Sequence, residues 1–203
     1  MEDPRVERWL AALVSTPGLT AIGDLDEARQ IHVAGALAAV DLLERGPVVD
    51  VGSGGGSPGI PLAAARPDLE FVLLEATAKK CRFLEEHAAA FANAEVVCAR
   101  AEDHARGAGR DAYGTAVARA LAPPAVALEW CLPLVLVGGR CVLYAGAVEE
   151  PLEAVAAAVG GGRPELVPVP GSERRALVVV PKVEPTPERF PRRPGAARKR
   201  PLR

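Results

Sequence analysis

The segment Asp50-Val51-Gly52-Ser53-Gly54-Gly55-Gly56-Ser57-Pro58-Gly59 carries the densest chemical signal in this chain, and a single acid, Glu75, stands 23 residues after its first glycine. Glycines in such a loop accept positive φ and let the backbone approach a ligand closely, while N–H groups at the start of a following helix attract carboxylates or phosphates. Glu75 ends the apolar run Phe71-Val72-Leu73-Leu74, where a carboxylate can accept both hydroxyls of a ribose. Three ligand classes suit a glycine loop, and spacing separates them. A P-loop needs Lys followed by Ser or Thr after its last glycine, and here Ser57-Pro58-Gly59 stands instead. A dinucleotide fingerprint, G-x-G-x-x-G, is matched by Gly54 to Gly59, although a window so rich in glycine meets that pattern easily. The third pattern is an acid two positions before the first of three alternating glycines: Asp50, Gly52, Gly54 and Gly56.

These residues need a scaffold, and the chain spells one. Residues 1–45 read as a helical cap: a first helix ends at Ser15-Thr16-Pro17-Gly18, and a second runs from Asp24, capped with Glu27, to Arg45. From residue 46 to 181 short apolar runs alternate with helical patterns. Strands are expected at 48–51, 71–74, 96–98, 113–118 and 140–144, with helices at 60–66, 77–91, 102–106, 123–136 and 149–159. Two last strands, near Leu166-Val167 and at 176–180, lie too close together for a helical crossover and should pair antiparallel. The expected fold is α/β, Rossmann-like: a mostly parallel seven-stranded sheet with an antiparallel terminal hairpin and helices on both faces. Residues 182–203 form a Pro/Arg-rich arm, and the three segments make one structural unit.

Composition narrows the class. The 203 residues are 49% hydrophobic and 25% charged, ordinary for one globular domain, and the longest apolar runs are too short to span a bilayer. The acidic start Met1-Glu2-Asp3 is no signal peptide, so a cytoplasmic protein is expected. The net charge of −2 hides an asymmetry, because residues 182–203 hold eight Lys/Arg against two Glu. Cys81, Cys98, Cys131 and Cys141 form no C-x-x-C pair, and three histidines supply no metal cluster, so no metal is expected and the cysteines read as small buried hydrophobes. Phe71, Phe83 and Phe91 read as core.

The third glycine pattern resembles the first motif of class I S-adenosylmethionine methyltransferases. Within that class the chain resembles the 16S ribosomal RNA guanine-N7 methyltransferases, the RsmG or glucose-inhibited division protein B family. The likeness rests on Val49 to Leu62 with its Pro58-Gly59-Ile60-Pro61-Leu62, on Arg66-Pro67, and on Leu74-Glu75-Ala76-Thr77-Ala78-Lys79-Lys80-Cys81-Arg82-Phe83-Leu84. Arg100-Ala101-Glu102, Ala118-Arg119-Ala120 and the tail from Thr186 to Gly195 complete it. The resemblance implies S-adenosyl-L-methionine as cofactor, with Gly52, Ser57, Glu75, Ala76 and Thr77 around its methionine and ribose, Ala101 and Glu102 beside the adenine, and Arg119 at the mouth; Asp50, Gly54 and Gly56 of the loop pattern are expected to bind the cofactor as well. It implies 16S RNA of the small ribosomal subunit as partner and ring nitrogen 7 of a guanine, position 527 in the 530 loop, as target. Two positions depart from the family pattern: His32-Val33-Ala34-Gly35-Ala36-Leu37 lacks an Asp-Ser pair, and Ala145 stands where a lysine is usual. Both fall on the expected RNA-facing rim.

Such a reaction needs no general base, because guanine N7 carries an in-plane lone pair and no proton. No catalytic residue is therefore assigned beyond a positioning role for Arg119. Lys79, Lys80 and Arg82, with Arg192, Arg193, Arg198, Lys199 and Arg200 on the arm, are the expected phosphate contacts. Glu75 is expected near the surface, and the protein is expected to be a monomer. A non-catalytic RNA-binding relative, a methyltransferase with a changed RNA substrate and a nucleotide-dependent oxidoreductase are the competing readings.

Overall fold

The computed structural model describes residues 3–146, 151–169 and 175–202. Its centre is β1 (Val48–Val51), buried at every position as expected of an apolar run covered on both faces. The other strands are β2 (Phe71–Glu75), β3 (Ala94–Cys98), β4 (Tyr113–Arg119), β5 (Val135–Ala145), β6 (Glu165–Pro168) and β7 (Ala176–Pro181). They form one sheet in the order β3-β2-β1-β4-β5-β7-β6, parallel from β3 to β5 and antiparallel through β7 and β6. The chain moves outward from β1 to β3 and then returns to β4. That reversal opens a crevice at the carboxyl ends of β1 and β4, where ligands of open α/β sheets bind.

Helices cover both faces: α1 (Pro4–Ser15), α2 (Leu25–Ala28), α3 (Gly59–Ala65), α4 (Ala78–Ala88), α5 (Ala101–His104), α6 (Pro124–Cys131), α7 (Glu153–Ala158) and α8 (Ala196–Lys199). The alternation of β2 sorts the layers. Leu73 packs with Trp9, Leu13, Phe83 and Leu84 of α1 and α4, while Val72 and Leu74 belong to the cluster of Leu128, Leu132 and Val155. In α1, Val6, Trp9, Leu10 and Leu13 make the buried stripe, and Asp3 caps the helix by accepting from the Arg5 N–H at 2.8 Å.

Three expectations need correcting. The helix read from Asp24 to Arg45 is α-helical only over α2; it continues as a π-helical turn, Arg29–Ala34, and a 3-10 turn, Ala36–Leu42. The expected helix 123–136 ends at Cys131, and β5 starts at Val135 rather than Arg140, with Gly138 at φ 87° inside it. The cysteines do not all behave as buried hydrophobes. Cys98, at the end of β3, is exposed and forms a disulfide with Cys81 of α4, whereas Cys131 and Cys141 are buried thiols. Residues 149 and 150 of the expected helix 149–159 lie outside the described residues. Among the described residues no helix is long and apolar enough to cross a membrane.

Candidate active site

The glycine loop runs from the end of β1 into α3 and is held from two sides. Behind it, Asp50 is 0% exposed, and its Oδ2 accepts the Gly59 N–H at 2.9 Å. Burial raises the Asp50 carboxyl to about 7. Asp50 therefore braces the loop from within the core, a correction to its expected place against the ligand. In front, Glu75 accepts the Gly54 N–H through Oε2 at 3.0 Å and the Thr77 N–H through Oε1 at 2.8 Å. Its side chain is 6% exposed, not near the surface as expected, because these two donors draw it inward. Gly54, at φ 59°, adopts the left-handed conformation that lets its N–H turn to Glu75.

Two clefts open on this loop. The larger, about 420 Å³, is lined by Glu75, Ala76, Thr77, Ala101 and Glu102 and closed by Leu121 and Trp130. The smaller, about 250 Å³, takes in Gly54, Ser57, His32 and Arg119. Gly52, Lys80 and Ala120 line both, so the two form one trough. Gly56 lines neither; its N–H bonds back to the Ser53 carbonyl at 2.7 Å and shapes the turn.

The smaller cleft is polar by construction. Arg119 Nη1 donates to the Ile31 carbonyl at 2.8 Å and to Ser57 Oγ at 3.1 Å, while Ser57 Oγ donates to the His32 carbonyl at 2.9 Å. Those two diverted carbonyls explain the π-helical turn, for they serve the site instead of a regular helix. Burial holds Arg119 below its ordinary pKa. Burial first, and then the charge of Arg119, lowers His32. The trough thus presents a carboxylate at one end and a cation beside a hydroxyl at the other. A nucleoside carrying an amino acid finds a diol acceptor in Glu75 and a carboxylate partner in Arg119 and Lys80. Of the three buried side-chain polar atoms without partners among the described residues, Asp50 Oδ1 lies behind the loop, while Trp130 and His32, which carry the other two, line one cleft each.

The expected RNA contacts divide. Lys79, Arg82, Arg193, Lys199 and Arg200 are exposed. Lys80 lines the trough instead of facing outward. Arg192 forks onto Glu129 of α6, whose side chain is 2% exposed, and so is not a free phosphate contact. Arg198 lines the larger cleft with Gly195. Leu121, Trp130 and Gly195 are cleft residues that the sequence reading missed; Trp130 lies in a helix buried from Ala125 to Cys131, where it looks like core.

The family model described as GidB, rRNA small subunit methyltransferase G, matches residues 7–159. The chain belongs to this family. The ribosomal RNA small subunit methyltransferase G of Moorella thermoacetica is 41% identical, covering 91% of this chain and 82% of its own. That of Thermotoga neapolitana is 37% identical over 99% of this chain and 93% of its own. Among solved structures, the S-adenosylmethionine-dependent methyltransferase SibL superposes with a TM-score of 0.63 at 16% identity, covering 86% of this chain and 62% of that one, which supports the fold. Within the methyltransferase G family, Gly52, Ser57, Glu75, Ala76, Thr77, Ala101, Glu102 and Arg119, which the sequence placed at a cofactor site, all meet along one trough here.

Proposed function

We propose that this methyltransferase G family member transfers a methyl group from S-adenosyl-L-methionine to ring nitrogen 7 of guanine 527 in 16S ribosomal RNA. The observation that carries the reading is the single trough with Glu75 at one end and Arg119 and Ser57 at the other, joined at Gly52, Lys80 and Ala120. The cofactor supplies an electrophilic methyl on a sulfonium. The chain supplies alignment, which can contribute roughly 7–11 kcal/mol of barrier lowering. Glu75 holds the loop and receives the ribose, and Arg119 fixes the amino-acid end.

The target base approaches from the opposite side of Ala120. There, clefts of about 170 and 330 Å³ share Ala120, Tyr144, Ala145 and Gly146, and Arg175 lines the larger. Ala120 stands at φ 51°, a conformation uncommon for a residue with a side chain, at the junction of all four cavities. Tyr144 donates to the Ala36 carbonyl and ties the cap to this rim. Lys79, Arg82, Arg193, Lys199 and Arg200 are the cations left for phosphate, and binding through them weakens with salt. The protein acts as a cytoplasmic monomer on the small subunit.

The test is methyl transfer from labelled S-adenosylmethionine to small subunits from cells lacking the modification, with the product nucleoside identified by mass. Appearance of 7-methylguanosine in the 530 loop is expected. Cofactor binding with no transfer would instead support a binding-only relative or a changed substrate.

A further inference from the structure

The basic arm does not hang free of the domain. Lys182 Nζ, fully buried, donates to the carbonyls of Leu132 and Val159 and to Thr186 Oγ1, with Asp111 Oδ1 at 3.4 Å. Arg110 then donates to the carbonyls of Thr186 at 2.6 Å and Phe190 at 2.8 Å, and Phe190 is buried in the main core. Arg192 is the third clasp, through its fork onto Glu129. These three contacts fix the path of the chain before it reaches the cofactor trough.

Beyond them, Gly195 at φ 79° turns its N–H onto Glu102 Oε1 at 3.0 Å, so one of the two acids in the cleft wall is held by the arm itself. Ala197 of α8 packs with Val126 and Trp130. The Arg198 guanidinium lies over the Trp130 ring, 5.2 Å from its centroid, and Nη2 donates to the Leu121 carbonyl at 3.3 Å. A tail whose purpose was phosphate binding alone would keep its cations in water. Here one arginine is consumed in a pair with a buried acid, and another lines the cleft that holds Glu75.

We infer that the arm is the outer wall of the nucleoside end of the cofactor site, and that Gly195 and Arg198 are cofactor-binding residues. The inference rests on the proposed S-adenosylmethionine reading of the trough. A planar guanidinium already held over an indole is suited to lie against a purine as well. The Gly195 to Glu102 bond sets how close that wall stands. Arg198 thus contributes to cofactor affinity through the adenosine moiety, and the amino-acid end, served by Arg119 and Ser57, is independent of it.

The experiment is calorimetric titration of the full chain, of Arg198→Ala and of a chain ending at Pro194, with two probes. S-adenosylhomocysteine carries both ends of the cofactor, and methylthioadenosine carries only the nucleoside end. The expected result is a loss of about threefold to fivefold in affinity for Arg198→Ala and about tenfold for the shortened chain, by the same factor for both probes. Arg189→Ala, whose side chain is exposed and lines neither cleft, should bind both probes like the full chain. Because Arg198 is itself exposed, its variant should melt with the parent and carry the test even if the shortened chain does not fold. In turnover, Arg198→Ala should raise KM for S-adenosylmethionine and leave KM for the small subunit unchanged.

Unchanged affinity for both probes in Arg198→Ala, with weaker binding to the small subunit, would overturn the inference and return the arm to an RNA-binding role. A loss for S-adenosylhomocysteine with none for methylthioadenosine would overturn it too, since the nucleoside end would then be untouched. A full chain that binds neither probe would sink the cofactor reading itself.

Discussion

Both ends of this chain return to the same trough, and they are attached by opposite means. The first helix of the amino-terminal cap is held chiefly by burial: Val6, Trp9, Leu10 and Leu13 pack on Ile60, Leu73 and Leu84, and the hydrogen bond from Trp9 Nε1 to the Gly55 carbonyl at 2.7 Å aims it at the glycine loop. The carboxy-terminal arm is held by charges and carbonyls, through Lys182, Arg110 and the Glu129–Arg192 pair, with Phe190 and Ala197 as its main apolar anchors. The difference teaches which contacts should respond to salt and which to lost volume. Apolar burial is insensitive to ionic strength, whereas ion pairs weaken with salt in proportion to their exposure.

The largest effect is expected at Trp9. Trp9→Ala should cost about 4 kcal/mol of stability, since a large, fully buried side chain leaves a cavity and the Gly55 carbonyl loses its donor. Urea unfolding would measure it, and the cost should be the same at low and at high salt. A cost that shrank with salt would break the distinction between cap and arm.

Next comes the arm's clasp. Arg192→Met should destabilise by about 3 kcal/mol, less because a lost pair is valuable in itself than because Glu129 would be left charged and buried. The double variant Arg192→Met with Glu129→Met should recover most of that loss, as removing both charges removes the orphan. Failure to recover would mean that the arm is held by packing around Phe190 and Ala197, and the contrast between the two ends would fall.

The same division explains what the sequence made legible. The glycine loop, Glu75 and the strand runs are local patterns, read from residues a few positions apart. The stripe of α1 is a periodicity, equally local. The clasps are not: Arg192 meets Glu129, Gly195 meets Glu102, and Cys81 meets Cys98 only because the sheet order brings β3, α4, α6 and the arm together. Likewise the π-helical turn of residues 29–34 follows from Arg119 and Ser57 drawing two carbonyls to the site, which no helical propensity encodes. The burial of Glu75 follows from a loop N–H 21 positions away. The fold was legible because it repeats a local grammar. The walls of the site were partly hidden because they are long-range polar contacts.

The smallest effect tests the cap from its polar side. Glu7 of α1 meets Arg29 at 2.7 Å, both side chains about a third exposed, and Arg29 holds the Glu7 carboxyl below its ordinary value. A lowered carboxyl favours folding wherever it is ionised. Its contribution is therefore complete above the unfolded carboxyl's range, near pH 4.3, and disappears as the pH falls through the lowered folded value. Glu7→Gln should lower the melting temperature by about 1 °C at pH 7 and low salt, since exposed pairs of this kind contribute little. The difference from the parent should vanish in strong acid, where Glu7 is neutral in both states, and shrink in high salt, where water and ions screen the pair. A loss as large as that of Arg192→Met would mean that the cap too depends on its charges, and burial of the α1 stripe would no longer suffice to explain how the amino terminus reaches the loop.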